Sequence, residues 1–121
     1  MEELNLRNYA HLGDAVWELF VREYTVNKTQ NLKLLHKMTT DFVNMNFQAE
    51  LLDFINDKLT EPEQELSRRA RNCNIPTNRR NNQFEYRKST SFEALIGYWY
   101  LNDQNRLKEI LDIIKDTYFN E

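Results

Sequence analysis

Apolar residues recur three and four positions apart along almost the whole chain, and this spacing constrains the fold more than any other feature. The clearest stripe comprises Leu12, Val16, Leu19, Phe20 and Tyr24, which share one face of a helix. The 121 residues include only two glycines and two prolines, so the chain lacks the turn residues that a succession of β-hairpins needs. The pattern therefore predicts an all-α helical bundle.

The length fits one domain, residues 1–121, and the stripes divide it into six helices. Thr60 and Glu63 form a Thr-x-x-Glu capping box that opens the fourth helix, with Pro62 in its first turn. The apolar stripes of the other five lie within residues 5–26, 32–38, 42–55, 92–100 and 107–118.

Composition excludes several classes of protein. A mean hydropathy of -0.78 and the lack of a long apolar run exclude a transmembrane helix. The acidic, polar start shows no signal peptide, so we expect a cytoplasmic protein without a membrane partner. Cys73 is the only cysteine, which excludes an internal disulfide and a cysteine-based zinc site.

Charge is distributed unevenly along the chain. The net charge is -3, yet residues 66–88 carry seven basic residues and one acid, Glu85. Arginine predominates there, and its planar guanidinium matches the geometry of phosphate groups. The basic residues are Arg68, Arg69, Arg71, Arg79, Arg80, Arg87 and Lys88.

Residues 72–89 lack a clear period and contain Pro76 and several asparagines, so they are predicted to form a basic loop. Long loops in small domains are commonly functional or disordered. Two interpretations remain open: a solvated loop that keeps the protein in solution, or a surface that contacts the phosphates and sugars of a nucleic acid.

The two glycines, Gly13 and Gly97, both fall inside helical patterns, where glycine costs about 1 kcal/mol relative to alanine. A close approach of two helices would explain them. Gly13 precedes Asp14, and Gly97 lies one turn after Glu93, so such a crossing would bring the two carboxylates together. A carboxylate pair of this kind suits Mg²⁺ or Mn²⁺.

A structural interpretation of both acids stays open at this point. Glu93 completes Thr90-Ser91-Phe92-Glu93, a second Thr-x-x-Glu pattern typical of a helix N-terminus. Asp14 could be a surface residue that faces a cationic neighbour.

Two segments resemble the motifs of the ribonuclease III family. His11–Glu18 reads His-Leu-Gly-Asp-Ala-Val-Trp-Glu, similar to the family signature around its catalytic aspartate. Ser89–Gly97 contains Phe-Glu-Ala-Leu-Ile-Gly, similar to the second acidic motif. The order and separation of the two segments also fit, so the resemblance implies a ribonuclease III-type endonuclease fold.

Two positions differ from the ribonuclease III motifs and indicate which branch of the family the sequence resembles. Full-length ribonuclease III carries acids four residues before the signature aspartate and three residues before the second-motif glutamate; here those positions are Ala10 and Thr90. The same reduction, without a double-stranded-RNA-binding domain, is similar to the Mini-ribonuclease III family. Further similarity lies at Leu35–Lys37, Gln48–Glu50 and Tyr86–Thr90.

The resemblance implies a homodimeric, Mg²⁺-dependent endoribonuclease (Mn²⁺ being the other candidate ion) that cleaves double-stranded RNA and matures the 23S ribosomal RNA precursor. Asp14 and Glu93 would be both the catalytic residues and the metal ligands. The arginines of the basic segment would bind RNA, with Arg87 and Lys88 nearest the scissile phosphates. His11 would lie at the dimer interface.

The sequence leaves two further hypotheses open. Ala10 and Thr90 stand where acids are expected, which favours a catalytically silent double-stranded-RNA-binding domain. Alternatively, an acidic helical surface could dock a protein partner.

Overall fold

The three-and-four spacing of the apolar residues forms six α-helices in a computed structural model that describes residues 5–73 and 83–119. No β-strand occurs in these described ranges, and none of their helices is long and apolar enough to cross a lipid bilayer. The helices are α1 (Leu6–Thr25), α2 (Leu32–Val43), α3 (Met45–Ile55), α4 (Glu61–Arg71), α5 (Gln83–Asn102) and α6 (Gln104–Tyr118).

Side-chain caps fix where the helices begin. The predicted capping box opens α4: the Glu63 amide donates to Thr60 Oγ1 at 3.4 Å, and the Thr60 amide donates to Glu63 Oε1 at 2.8 Å. Four other helices start at a residue whose side-chain oxygen accepts an amide hydrogen bond and so satisfies a free donor of the first turn. These residues are Asn5, Asn31, Asn44 and Asp103.

Helix α5 is the centre of the bundle and packs against α1, α3, α4 and α6. Residues 91–99 of α5 are buried or half-buried around the whole circumference, as expected for a helix enclosed by others. Two tryptophans fill the core and satisfy their ring N–H groups at its edge. Trp17 Nε1 donates to the Phe42 carbonyl at 2.8 Å, and Trp99 Nε1 donates to Glu63 Oε2 at 3.0 Å.

The predicted loop at 72–89 needs a correction, because α5 begins at Gln83. Residues 83–89 are therefore helical, and residues 74–82 lie outside the described part of the chain. Polar residues dominate this first part of α5, which hides its helical period. Packing against α3 and α4 stabilises it instead: Ser89 is buried, and Arg87 Nη1 donates to the Arg71 carbonyl at 2.6 Å.

The second Thr-x-x-Glu pattern is not a cap. Thr90 and Glu93 lie inside α5, where the backbone amides already donate within the helix. The capping-box interpretation of Glu93 is therefore wrong, and its side chain is available for another role.

Helices α1 and α5 cross at the two glycines, backbone against backbone. A Cβ atom added to Gly13 would lie 1.7 Å from the Glu93 carbonyl oxygen, and one added to Gly97 would lie 1.9 Å from the Tyr9 carbonyl oxygen. Both distances are far shorter than any contact that a methyl group can make. The predicted close approach of the helices is confirmed, and only glycine permits it at these positions.

We expect Gly13→Ala to lower the free energy of unfolding by about 3 kcal/mol or more, because the methyl group can only be admitted by separating α1 from α5. Urea unfolding followed by circular dichroism measures the change. Exposed Ala15 on the same helix provides the control, since Ala15→Gly should cost only about 1 kcal/mol through helix propensity. A Gly13→Ala protein as stable as the wild type would contradict the crossing.

Candidate active site

Asp14 of α1 and Glu93 of α5 meet beside the helix crossing. Asp14 directly follows Gly13, whose backbone touches the backbone of Glu93, so the crossing itself sets the two side chains side by side. Asp14 is exposed and Glu93 is half-buried. The two carboxyl groups lie within hydrogen-bonding reach of each other, and such a bond forms only when one of them holds a proton.

The environment of Glu93 strongly disfavours its charged form. Burial is the largest cause, followed by the hydrogen bond to Asp14 and the negative charge of Asp14. The side-chain amide of Gln48 acts in the opposite direction. Together these effects raise the pKa of Glu93 from 4.5 to about 9. At neutral pH the metal-free pair therefore holds a proton that a cation could replace.

A cavity of about 260 Å³ opens over the acidic pair. Ala10 and Thr90 both line it, so the two positions where full-length ribonuclease III carries further acids do face the site. Within the described residues, no group of three His, Cys, Asp or Glu side chains is arranged to hold a metal. The site thus offers two carboxylates and open space beside them.

This donor set fits Mg²⁺. The ion prefers oxygen ligands, keeps several of its waters, and is commonly held by one or two carboxylates together with phosphate oxygens of the substrate. Two carboxylates that otherwise share a proton, at the wall of an open cavity, meet these requirements. Mn²⁺ accepts the same oxygen donors.

Two arginines of the basic segment, residues 66–88, border the cavity. Arg71 Nη1 donates to Ser67 Oγ at 3.3 Å, and Arg87 Nη1 donates to the Arg71 carbonyl at 2.6 Å. Each contact uses one of the five N–H donors of the guanidinium group and restrains its side chain at the cavity wall. The acidic pair and two cationic groups consequently share one opening.

Other predicted RNA-binding residues lie outside this cavity. Arg68 forms an ion pair with Glu65 at 2.6 Å on the exposed face of α4, and Arg69 borders a separate depression near Trp99. Lys88 pairs with Asp53 at 2.8 Å. Lys88 therefore does not line the cavity as Arg87 does, because adjacent positions on a helix point in different directions, and its contact with a scissile phosphate stays a prediction. Arg79 and Arg80 fall outside the described residues.

His11 is exposed and lies on the rim of the same cavity, one turn before Asp14. The role of His11 at a dimer interface stays a prediction.

Two groups of residues near the acidic pair were not predicted from the sequence. Arg7 and Tyr86 also line the cavity. Arg7 precedes Asp14 by two helical turns, so the helical period of α1 could have indicated it. Gln48 and Ser89, which are buried behind Glu93, carry no comparable signal, because their proximity depends on how α3 packs against α5.

Comparison with known proteins agrees with this architecture. The Ribonuclease III domain model matches residues 7–104. Mini-ribonuclease 3 of Clostridium tetani is 35% identical over 98% of this chain and 81% of its own length. Mini-ribonuclease 3 of Gloeobacter violaceus is 40% identical, with 93% and 84% covered.

A similar fold occurs in a solved structure. The crystal structure of a protein from Fusobacterium nucleatum superposes with a TM-score of 0.84 at 30% identity, covering 97% of this chain and 92% of that one. The predicted fold class is thereby confirmed.

The pKa of Glu93 predicts how stability depends on pH in the absence of metal. Between about pH 4.5 and about pH 9 the folded state holds a proton that the unfolded chain has lost, so stability should fall as pH rises through this range. Glu93→Gln should flatten that slope. Urea unfolding in EDTA across the range measures both proteins. A wild type whose pH dependence matched that of Glu93→Gln would contradict the buried proton.

Proposed function

The chain belongs to the Mini-ribonuclease III branch of the ribonuclease III family and is an endoribonuclease, and on this premise we propose that it cleaves double-stranded RNA with a divalent cation held by Asp14 and Glu93. The family acts on double-stranded RNA and generally depends on divalent metal ions. The observation that carries the proposal is the carboxylate pair at the α1–α5 crossing, open to a cavity that Arg71 and Arg87 border.

The charges of this cavity suit a phosphodiester and a cation at once. A cation would relieve the repulsion between two ionised carboxylates more effectively than the single proton they otherwise share. The guanidinium groups of Arg71 and Arg87 supply donors for the phosphate oxygens of the same strand. Neither contact depends on the base, which suits an A-form duplex recognised by shape, phosphates and 2′-hydroxyls.

Each residue has a distinct task in the proposed reaction. Asp14 and Glu93 would hold the cation, for which Glu93 must first give up its proton. When bound there, the cation would supply an activated water nucleophile and would stabilise the leaving 3′ oxygen. Arg71 and Arg87 hold the backbone of the duplex against the opening. Because Ala10 and Thr90 offer no carboxylate, we expect the cation to retain more of its water than in a site with four acids.

Membership of the family supports proposals about the location, the oligomeric state and the RNA substrate of the protein. We propose that the chain acts in the cytoplasm as a homodimer of single catalytic domains, with His11 at the interface, and that its substrate is the 23S ribosomal RNA precursor. A duplex extends beyond one cavity, so the other basic residues would contact its flanking phosphates. They are Arg68, Arg69, Arg79, Arg80 and Lys88.

Asp14→Asn and Glu93→Gln should each reduce the Mg²⁺-dependent cleavage rate of a structured precursor RNA at least about a hundredfold, since metal stabilisation of the transition state is worth several kcal/mol. Both variants should still bind the duplex through the arginines. Gel analysis of cleavage and a duplex-binding assay measure the two properties.

The matched control for this loss is Asp41→Asn. The side chain of Asp41 lies on α2, pairs with Lys37 and does not line the cavity, so its loss should leave cleavage unchanged. A wild type that binds duplex RNA but never cuts it would instead establish a catalytically silent binding domain.

Arg71→Ala and Arg87→Ala should each weaken duplex binding to a similar extent for all RNA sequences. Each should also reduce the slope of log affinity against log salt by about one unit, since one phosphate contact is lost. Fluorescence anisotropy over a series of salt concentrations measures the slope. Lys108→Ala is the control, because Lys108 pairs with Asp112 on α6, away from the cavity. Unchanged slopes in both arginine variants would exclude these residues from the RNA-binding surface.

A further inference from the structure

Gln48, on the first turns of α3, is buried directly behind the acidic pair. Only 2% of the residue is exposed, although its side chain ends in an amide with both donors and an acceptor. A buried amide normally satisfies both ends with hydrogen bonds, because an unpaired polar group loses its bonds to water without replacement. Gln48 satisfies only one end, which sets it apart from the other buried side chains of the described residues.

The satisfied end is the oxygen. Ser89 Oγ donates to Gln48 Oε1 at 2.6 Å, in a contact that joins α5 to α3. Ser89 precedes Glu93 by one helical turn, so both residues lie on the face of α5 that α3 covers. One residue earlier on α5, Lys88 pairs with Asp53 of α3 at 2.8 Å. The two helices are therefore tied together by polar contacts close to Gln48.

The unsatisfied end is the nitrogen, which faces the Glu93 carboxyl group. The amide is close enough to lower the pKa of that group, yet Nε2 completes no hydrogen bond of good geometry. The contact with Ser89 also fixes which way the amide points. The opposite orientation would turn Oε1 towards Glu93 and place two acceptors against each other when Glu93 is a carboxylate.

From this arrangement we propose that Gln48 is a positioning residue for the cation site: Ser89 holds its amide, and Nε2, unpaired in the metal-free protein, donates to the Glu93 carboxylate in the orientation that binds the metal ion. The inference rests on the proposed function, in which Glu93 is a metal ligand. Glu93 then stands between two polar partners, Asp14 on the open side and Gln48 on the buried side. A site with only two carboxylates has no spare ligand to compensate when one of them turns away.

Outer partners of this kind typically change metal affinity by tenfold to a hundredfold when they are removed. Gln48→Met preserves the length and apolar stem of the side chain and deletes the amide. We expect Mn²⁺ binding to the RNA-free protein, measured by isothermal titration calorimetry, to weaken about tenfold. Cleavage should fall at low Mg²⁺ and recover as Mg²⁺ is raised, while duplex affinity in EDTA stays at the wild-type level.

A second variant tests the same chain of contacts without removing the amide. Ser89→Ala frees Gln48 Oε1, so the amide can rotate, and Mn²⁺ affinity should fall by a smaller factor. If Gln48→Met does not fold, this variant carries the test. Thr39→Val is the control for lost buried polarity, because it removes the buried hydrogen bond of 2.9 Å between Thr25 and Thr39. It should reduce stability and leave Mn²⁺ affinity unchanged.

The outcomes separate this inference from the proposed function. Wild-type Mn²⁺ affinity in both Gln48→Met and Ser89→Ala, with Glu93→Gln still impaired, would overturn the role of Gln48 alone. An equal loss of Mn²⁺ affinity in Thr39→Val would also overturn it, since the effect would then be general destabilisation. Wild-type cleavage and Mn²⁺ binding in Glu93→Gln would overturn the proposed function itself.

Discussion

The contact between the backbones of α1 and α5 at Gly13 and Gly97 is the constraint on which the rest of the structure depends. Each glycine lies where a methyl group would meet a carbonyl oxygen of the other helix. Because the helices touch at this depth, the side chains next to the contact have no freedom to separate. Asp14 and Glu93 are such neighbours, so one packing interaction produces both the core and the acidic pair.

Placing the carboxyl groups of Asp14 and Glu93 side by side is electrostatically unfavourable, so the pair favours a bound proton or cation. Half-buried Glu93 beside Asp14 holds a proton at neutral pH unless a cation replaces it. Arg71 and Arg87 stand at the wall of the same cavity, each tied to the protein through one hydrogen bond. Opposite charges are thus kept close but separate, and the proposed binding of a cation and of an RNA phosphate rests on this arrangement.

The Thr-x-x-Glu pattern occurs twice in this chain and has a different structural role each time. Thr60 and Glu63 form a full capping box, whereas Thr90 and Glu93 lie in the middle of α5. The residues before Thr90 are polar, and their period does not reveal a helix. They are helical because Ser89 is buried against α3 and because α3 and α4 supply partners for the side chains around it. Four residues of sequence cannot distinguish these cases.

The sequence by itself determined the features that arise from local periodicity and from unusual residues. The apolar spacing predicted the helices, and glycines inside two helical patterns predicted the crossing and hence the pair Asp14 and Glu93. Tertiary structure alone decided which arginines border the cavity and that Gln48 lies behind Glu93. Gln48 and Ser89 are separated by 41 positions, and their contact depends on the packing of α3 against α5. Helical periodicity specifies the buried face of each helix, but it does not specify which partner will cover that face.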